Sequence, residues 1–155
     1  FFGSLLLRRV YFVPAQINYF YYDYFSLNSF VLWAESKLTL GLIDYPYSLS
    51  RTHRIGLEYF NSENTGANTG WIGSGYAQLG FMGMMIYSFI IGLIFSYINS
   101  FSKGINKNII VAIMIIPLFS LTLSSDLPTA LVTHGVLGAL ILLSVFPFTK
   151  IKPLY

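Results

Sequence analysis

The hydrophobic positions fall into long blocks rather than the short alternations of a soluble fold. From Asn64 to Ser102 no residue is charged, and within that stretch Ala77–Ile98 runs for 22 mostly apolar residues, close to the ~20 that span a bilayer's hydrocarbon core. The first transmembrane helix is therefore expected over 77–98. Ile109–Leu123 is a shorter apolar run containing Pro117. Extended to Asn106 and Ser125 it predicts a kinked span over 106–125, since membrane helices tolerate proline where neighbours satisfy the freed carbonyl. Thr129–Phe148 predicts a third span, with Gly135, Gly138, Ala139 and Ser144 as small residues for close helix contact.

Polar residues set the frame around these spans. Lys103 and Lys107 lie between the first and second, and Lys150 and Lys152 follow the third; by the bias of lysine and arginine toward cytoplasmic loops, both segments belong inside. The Ser124–Asp126 turn and the Gly-, Asn-, Ser- and Thr-rich segment 41–76 are then external, the latter as a long loop, and loops of that length usually carry function. Residues 1–40 hold an aromatic cluster, from Tyr11 and Phe12 to Tyr24 and Phe25, interrupted by Pro14, Gln16, Asn18 and Asp23. An interfacial or re-entrant helical segment is the expectation here, with Pro14 in a first helical turn; the alternative is a polar crossing that puts Arg8 and Arg9 in the cytoplasm.

Composition agrees with this frame. Of 155 residues, 55% are hydrophobic and 10% charged, with a mean hydropathy of +0.63, against roughly 25% charge in a soluble domain. An ordinary soluble domain and a disordered tail are both excluded. Nine dispersed Lys and Arg residues make no basic stripe for nucleic acid. Cysteine is absent, which removes disulfides and thiolate sites. The two histidines, His53 and His134, are far apart without clustered carboxylates, so no metal is expected. The chain starts at Phe1 without a signal-peptide pattern and reads as the C-terminal fragment of a polytopic, all-α integral membrane protein with three transmembrane helices, interfacial helices and an external loop.

On this topology Arg8, Arg9, Arg51 and Arg54 are all external, whereas the four cytoplasmic cations are lysines. The planar guanidinium fork binds phosphate oxygens bidentately and does not deprotonate, so a membrane-bound diphosphate is the expected ligand; the plainer reading makes these residues interfacial anchors and solvated loop charges. His53, flanked by Arg51 and Arg54, should stay neutral and is a candidate base, with Glu58 and Glu63 as carboxylate alternatives. His134 falls on the external half of the third span, facing a polar cavity or bonded to a neighbouring helix. Asp126 reads as a helix cap. Gly80 and Gly83 would share one helical face and permit close backbone approach.

The string NTGANTGWIGSGYAQLGFMGMMIY (64–87), with RRVYFVPAQINYFYYDYFS (8–26) before it, resembles the C-terminal part of Wzy-type O-antigen and capsule repeat-unit polymerases. The shared pieces are an Arg closely followed by Val-Pro and an aromatic Tyr-Phe-Ser segment, then an Asn-Thr-Gly loop leading into Tyr-Ala-x-x-Gly-x-x-Gly. The resemblance implies a metal-independent membrane glycosyltransferase in the bacterial inner membrane. It would polymerise undecaprenyl-diphosphate-linked repeat units of a surface polysaccharide, using no cofactor, with lipid-linked donor and acceptor and a chain-length regulator as partners. It implies that external arginines carry the diphosphate, first Arg9 or Arg8 ahead of Val13–Pro14 and then Arg51 and Arg54, and leaves the proton acceptor open. With His53 as the base candidate from its own surroundings, the expected catalytic residues are Arg9, Arg54 and His53, and the substrate-binding ones Arg8, Arg51, Asn68 and Tyr76. The related O-antigen ligases carry a His where this chain has Asn68-Thr69-Gly70, and the Arg-to-Gly spacing of eleven found in some polymerases is missing. The competing expectation is a flippase or transporter for the same lipid-linked sugars, or a ligase.

Overall fold

The computed structural model describes residues 3, 7–36, 39 and 41–145, and all regular structure among them is helical. A π-helical turn, Arg8–Phe12, runs into α1 (Val13–Leu27). Then come α2 (Arg51–Phe60), α3 (Trp71–Phe101), α4 (Lys107–Leu123), α5 (Leu127–Val132) and α6 (Val136–Val145). The segment expected as an external loop thus contains a helix, α2. Its strongly amphipathic sequence, RTHRIGLEYF, places Ile55 and Gly56 inward, and Asn61 in the left-handed region ends it, a conformation asparagine tolerates well.

The largest departure from the sequence expectation is inside α3. Leu79 and Gly80 have non-helical backbone angles, and Gly80 has φ +59°, a region open to glycine for want of a Cβ. A Cβ built on Gly83 would collide with the Gly75 carbonyl oxygen, and one on Gly75 would lie 3.2 Å from the Met84 Cα. Residues eight apart on a straight helix are ~12 Å apart along its axis, so the arm 71–78 folds back on the arm 81–101. The expected span 77–98 is corrected accordingly: Ala77 and Gln78 belong to the short arm, and the continuous arm begins at Phe81. Gly80 and Gly83 do not share a helical face; Gly80 makes the reversal, and Gly83 gives the two arms room to touch.

Two helical stretches, Trp71–Phe101 and Leu127–Val145, are long and apolar enough to cross a membrane, while Lys107–Leu123 is shorter. Only 22% of the most apolar window in each of the two is buried, so neither is the enclosed core helix of a soluble globule; Phe89, Phe119 and Val145 turn outward, as lipid-facing residues would. The second stretch is broken between α5 and α6, where Gly135 has φ +81°. Residues 146–148 of the third expected span, and Lys150 and Lys152, lie outside the described residues.

Packing forms two apolar clusters. One joins the long arm of α3 with α4, α5 and α6 around Tyr87, Met114, Leu121 and Leu127. The other joins α1, α2 and the short arm of α3 around Tyr21, Phe25, Ile55 and Ala77. The segment after α1 ties them together: the backbone N–H groups of Val31 and Leu32 donate to the Ala77 and Gln78 carbonyls, which the reversal leaves without helical partners.

Candidate functional site

A polar layer lies in the seam between the two clusters, centred on Arg51. As the first residue of α2 it is anchored at the backbone, where its N–H donates to Glu35 Oε1 at 2.5 Å. Its side chain runs inward and is buried to all but 7%. Nη2 meets Asp126 Oδ2 at 2.9 Å, and Nε lies 3.5 Å from Glu35 Oε2. Among the described residues, neither Nε nor Nη1 makes a hydrogen bond. Burial acts to lower the Arg51 pKa, but the charge of Asp126, with smaller contributions from Tyr21 and Glu35, outweighs it and pushes the pKa up. The guanidinium stays charged.

Asp126 is the hub. Oδ1 accepts from the Leu127 N–H at 2.8 Å, capping α5 as the sequence predicts, and from the Tyr87 hydroxyl at 2.9 Å. Tyr87 in turn accepts from the Trp33 indole at 3.0 Å, and the Trp33 backbone N–H donates to Gln78 Oε1 at 2.6 Å. Leu32 and Trp33 both have positive φ, 52° and 60°. Non-glycine residues adopt that region at a cost of roughly 1–2 kcal/mol each, a strain typical of functional segments. The strained turn aims Trp33 at Tyr87 and delivers Glu35 to Arg51. On the outer side Tyr45, whose hydroxyl donates to the Leu49 carbonyl at 2.9 Å, is pushed well up by burial first and by the neighbouring Glu35 carboxylate second, and Tyr21 is likewise raised by burial; both remain protonated donors at neutral pH. The Tyr21 hydroxyl donates to the Ala67 carbonyl.

Two cavities share the Arg51–Asp126 pair as part of their lining. The smaller, about 220 Å³, is lined by Asn68, Thr69, Ser125 and His134 in addition to the pair. The larger, about 510 Å³, adds Glu35, Gln78, Thr129 and Thr133 on its polar side and Leu131, Val132 and Leu137 on its apolar side. The larger has the size of an organic-ligand site, ~300–1,000 Å³; the smaller is a polar niche. Their charge differs too: the pair is neutral where it faces the niche, whereas Glu35 adds a negative charge to the larger cavity.

Of the residues singled out from the sequence, Arg51 and Asn68 line the niche, and so does His134, which sits in the break between α5 and α6. The others lie elsewhere. Arg54 donates to the Tyr24 hydroxyl at 2.7 Å and pairs with Glu58 at 3.7 Å. His53 is exposed, and its ring lies 3.6 Å from where a Gly66 Cβ would stand. Arg8 and Arg9 are exposed on the π-helical turn. Tyr76 is buried against Tyr22, Phe30 and Phe81. Asn18 was not singled out, yet its Oδ1 accepts from Thr69 Oγ1 at 2.9 Å and the Gly73 N–H at 2.8 Å, joining α1 to the niche wall. Asp126 and Glu35 are the main residues missed; the available signal was that Asp126 is the sole acidic residue after Glu63.

No family model, no curated protein and no solved structure matches this chain.

Proposed function

We propose that the chain is part of a membrane glycosyltransferase that lengthens a polyprenyl-diphosphate-linked glycan, with the Arg51 niche holding the diphosphate as it leaves. The observation carrying this reading is a buried, permanently charged guanidinium whose Nη1 makes no hydrogen bond among the described residues. Leaving such donors unmade costs ~1–3 kcal/mol or more each, and an oxyanion satisfies them. Asn68 and His134 line the niche and can supply further donors, and donors aimed where charge develops are the most effective way to lower a transition-state barrier. Position adds support. Tyr87 and Asp126 lie at the end of the bundle away from the Lys103–Lys107 turn, about 24 Å along the long arm from Lys103 at ~1.5 Å per residue. With the lysines cytoplasmic, the site opens at the external face of a bacterial inner membrane, where a lipid-linked glycan would present its headgroup. Two spans in the described residues, a shorter third helix α4 and an aromatic helix α1 at the interface complete the arrangement.

The test is glycan length on a gel from cells lacking the native gene and complemented with full-length Arg51→Lys or Asn68→Ala, protein level being measured alongside. Lysine keeps the charge and loses the fork, so a shortened ladder with single repeat units retained is expected for Arg51→Lys, and a milder shortening for Asn68→Ala. Normal ladders in both at normal abundance would overturn the assignment. Loss of even the single units would point to a transporter.

A further inference from the structure

We infer that the larger cavity is the acceptor site and that Glu35 is the general base that takes the proton from the acceptor sugar's attacking hydroxyl. The inference rests on the glycosyltransferase reading and adds the side from which attack comes. Arg51, Asp126 and Thr129 line both cavities, so groups bound in the two are neighbours that meet at this pair. An anion belongs in the neutral, donor-rich niche. A neutral polyol belongs in the larger cavity, where Glu35 and Gln78 offer acceptors to hydroxyls, and Leu131, Val132 and Leu137 offer apolar surface to the faces of sugar rings.

The two carboxylates are not equivalent as bases. Asp126 already accepts from Leu127, Tyr87 and Arg51, so its two oxygens are occupied by protein donors and a substrate hydroxyl finds little room to donate there. Glu35 has one strong backbone donor, the Arg51 N–H on Oε1. Its Oε2 faces Arg51 Nε at 3.5 Å without a hydrogen bond, and its side chain is 24% exposed against 15% for Asp126. Oε2 therefore retains capacity for a hydroxyl proton. The strained Leu32–Trp33 turn holds Glu35 at the cavity wall, as a group that must act at one place requires. In the step itself the acceptor oxygen bonds to the donor's anomeric carbon as the bond from that carbon to the diphosphate oxygen breaks. The hydroxyl proton passes to Glu35, and the electron pair leaves with the diphosphate, whose charge Arg51 receives.

The experiment uses the full-length protein in lipid nanodiscs, with undecaprenyl-diphosphate-linked repeat units extracted from cells that make the polysaccharide. Glu35→Gln keeps the side chain's shape and an acceptor for the Arg51 N–H but cannot take a proton, and should slow chain growth about a hundredfold, the lower end of what general bases contribute. In Glu35→Ala, added formate, acetate and chloroacetate should restore growth in the order of their basicity, acetate most and chloroacetate least; a carboxylate that merely held Arg51 in place would show no such order. Wild-type rates in Glu35→Gln, or rescue independent of basicity, would overturn the Glu35 assignment and leave the glycosyltransferase reading standing. Failure of the wild-type protein itself to lengthen the glycan would sink that reading and this one with it.

Discussion

Burial and pairing act together at Arg51 and Asp126, so the two sides of the ion pair are exposed to very different penalties from Glu35. Removing one partner of a buried pair strands the other charge, at a cost of ~3–5 kcal/mol, whereas loss of the more exposed Glu35 leaves Arg51 paired with Asp126 and costs less. Asp126→Ala is therefore expected to lower the thermal midpoint of the detergent-purified protein steeply or to abolish folded protein, because it removes a cap and a tyrosine partner as well; Glu35→Ala should shift it little. Comparable midpoints for the two variants would show that the pair does not hold the seam together. The residue types at the site were visible in the sequence, but their ranking was not. Four arginines look alike on paper. Arg51 differs because Asp126, 75 positions away, comes to 2.9 Å, and no local pattern encodes that approach.

At the scale of elements, the reversal in α3 and the break between α5 and α6 shape the site more than any straight helix does. The reversal needs Gly80 for its positive φ and Gly83 for the absence of a Cβ. Gly83→Ala is expected to destabilise by ~1–3 kcal/mol, since the alanine methyl must displace the Gly75 carbonyl backbone, whereas Gly92→Ala, with nothing within 4 Å, should be neutral or mildly stabilising. The ratio of folded to aggregated protein on size exclusion after graded heating reads both, and equal behaviour would mean that the arms are not in contact. Hydropathy located the apolar block correctly but could not see the turn within it, because a window average is blind to a change of direction. The helix at 51–60 was obscured for the opposite reason: its polar face resembles a loop in composition, and only its amphipathic period betrays it.

For the whole molecule, the arrangement requires the Arg51 seam and the Lys103–Lys107 turn to lie on opposite sides of a bilayer. Single cysteines can be introduced into a sequence that has none. A cysteine at position 66 should react with an impermeant thiol reagent in intact cells, and one at position 104 only after the membrane is opened. The reverse pattern would turn the site to the cytoplasm and remove the external lipid-linked glycan as its substrate.

The sequence by itself determined the helical class, the apolar blocks with membrane-spanning length, the cap at Asp126 and the presence of cationic forks beside an aromatic segment, because each depends on residues within a few turns of one another. The tertiary structure alone decided that one arginine of the four is buried, that two carboxylates 91 positions apart, Glu35 and Asp126, share it, and that two cavities of different charge meet at it. These depend on where α3 folds back and where α5 meets α2. That geometry arises from contacts distant in sequence, in which a single glycine's backbone angle redirects everything after it.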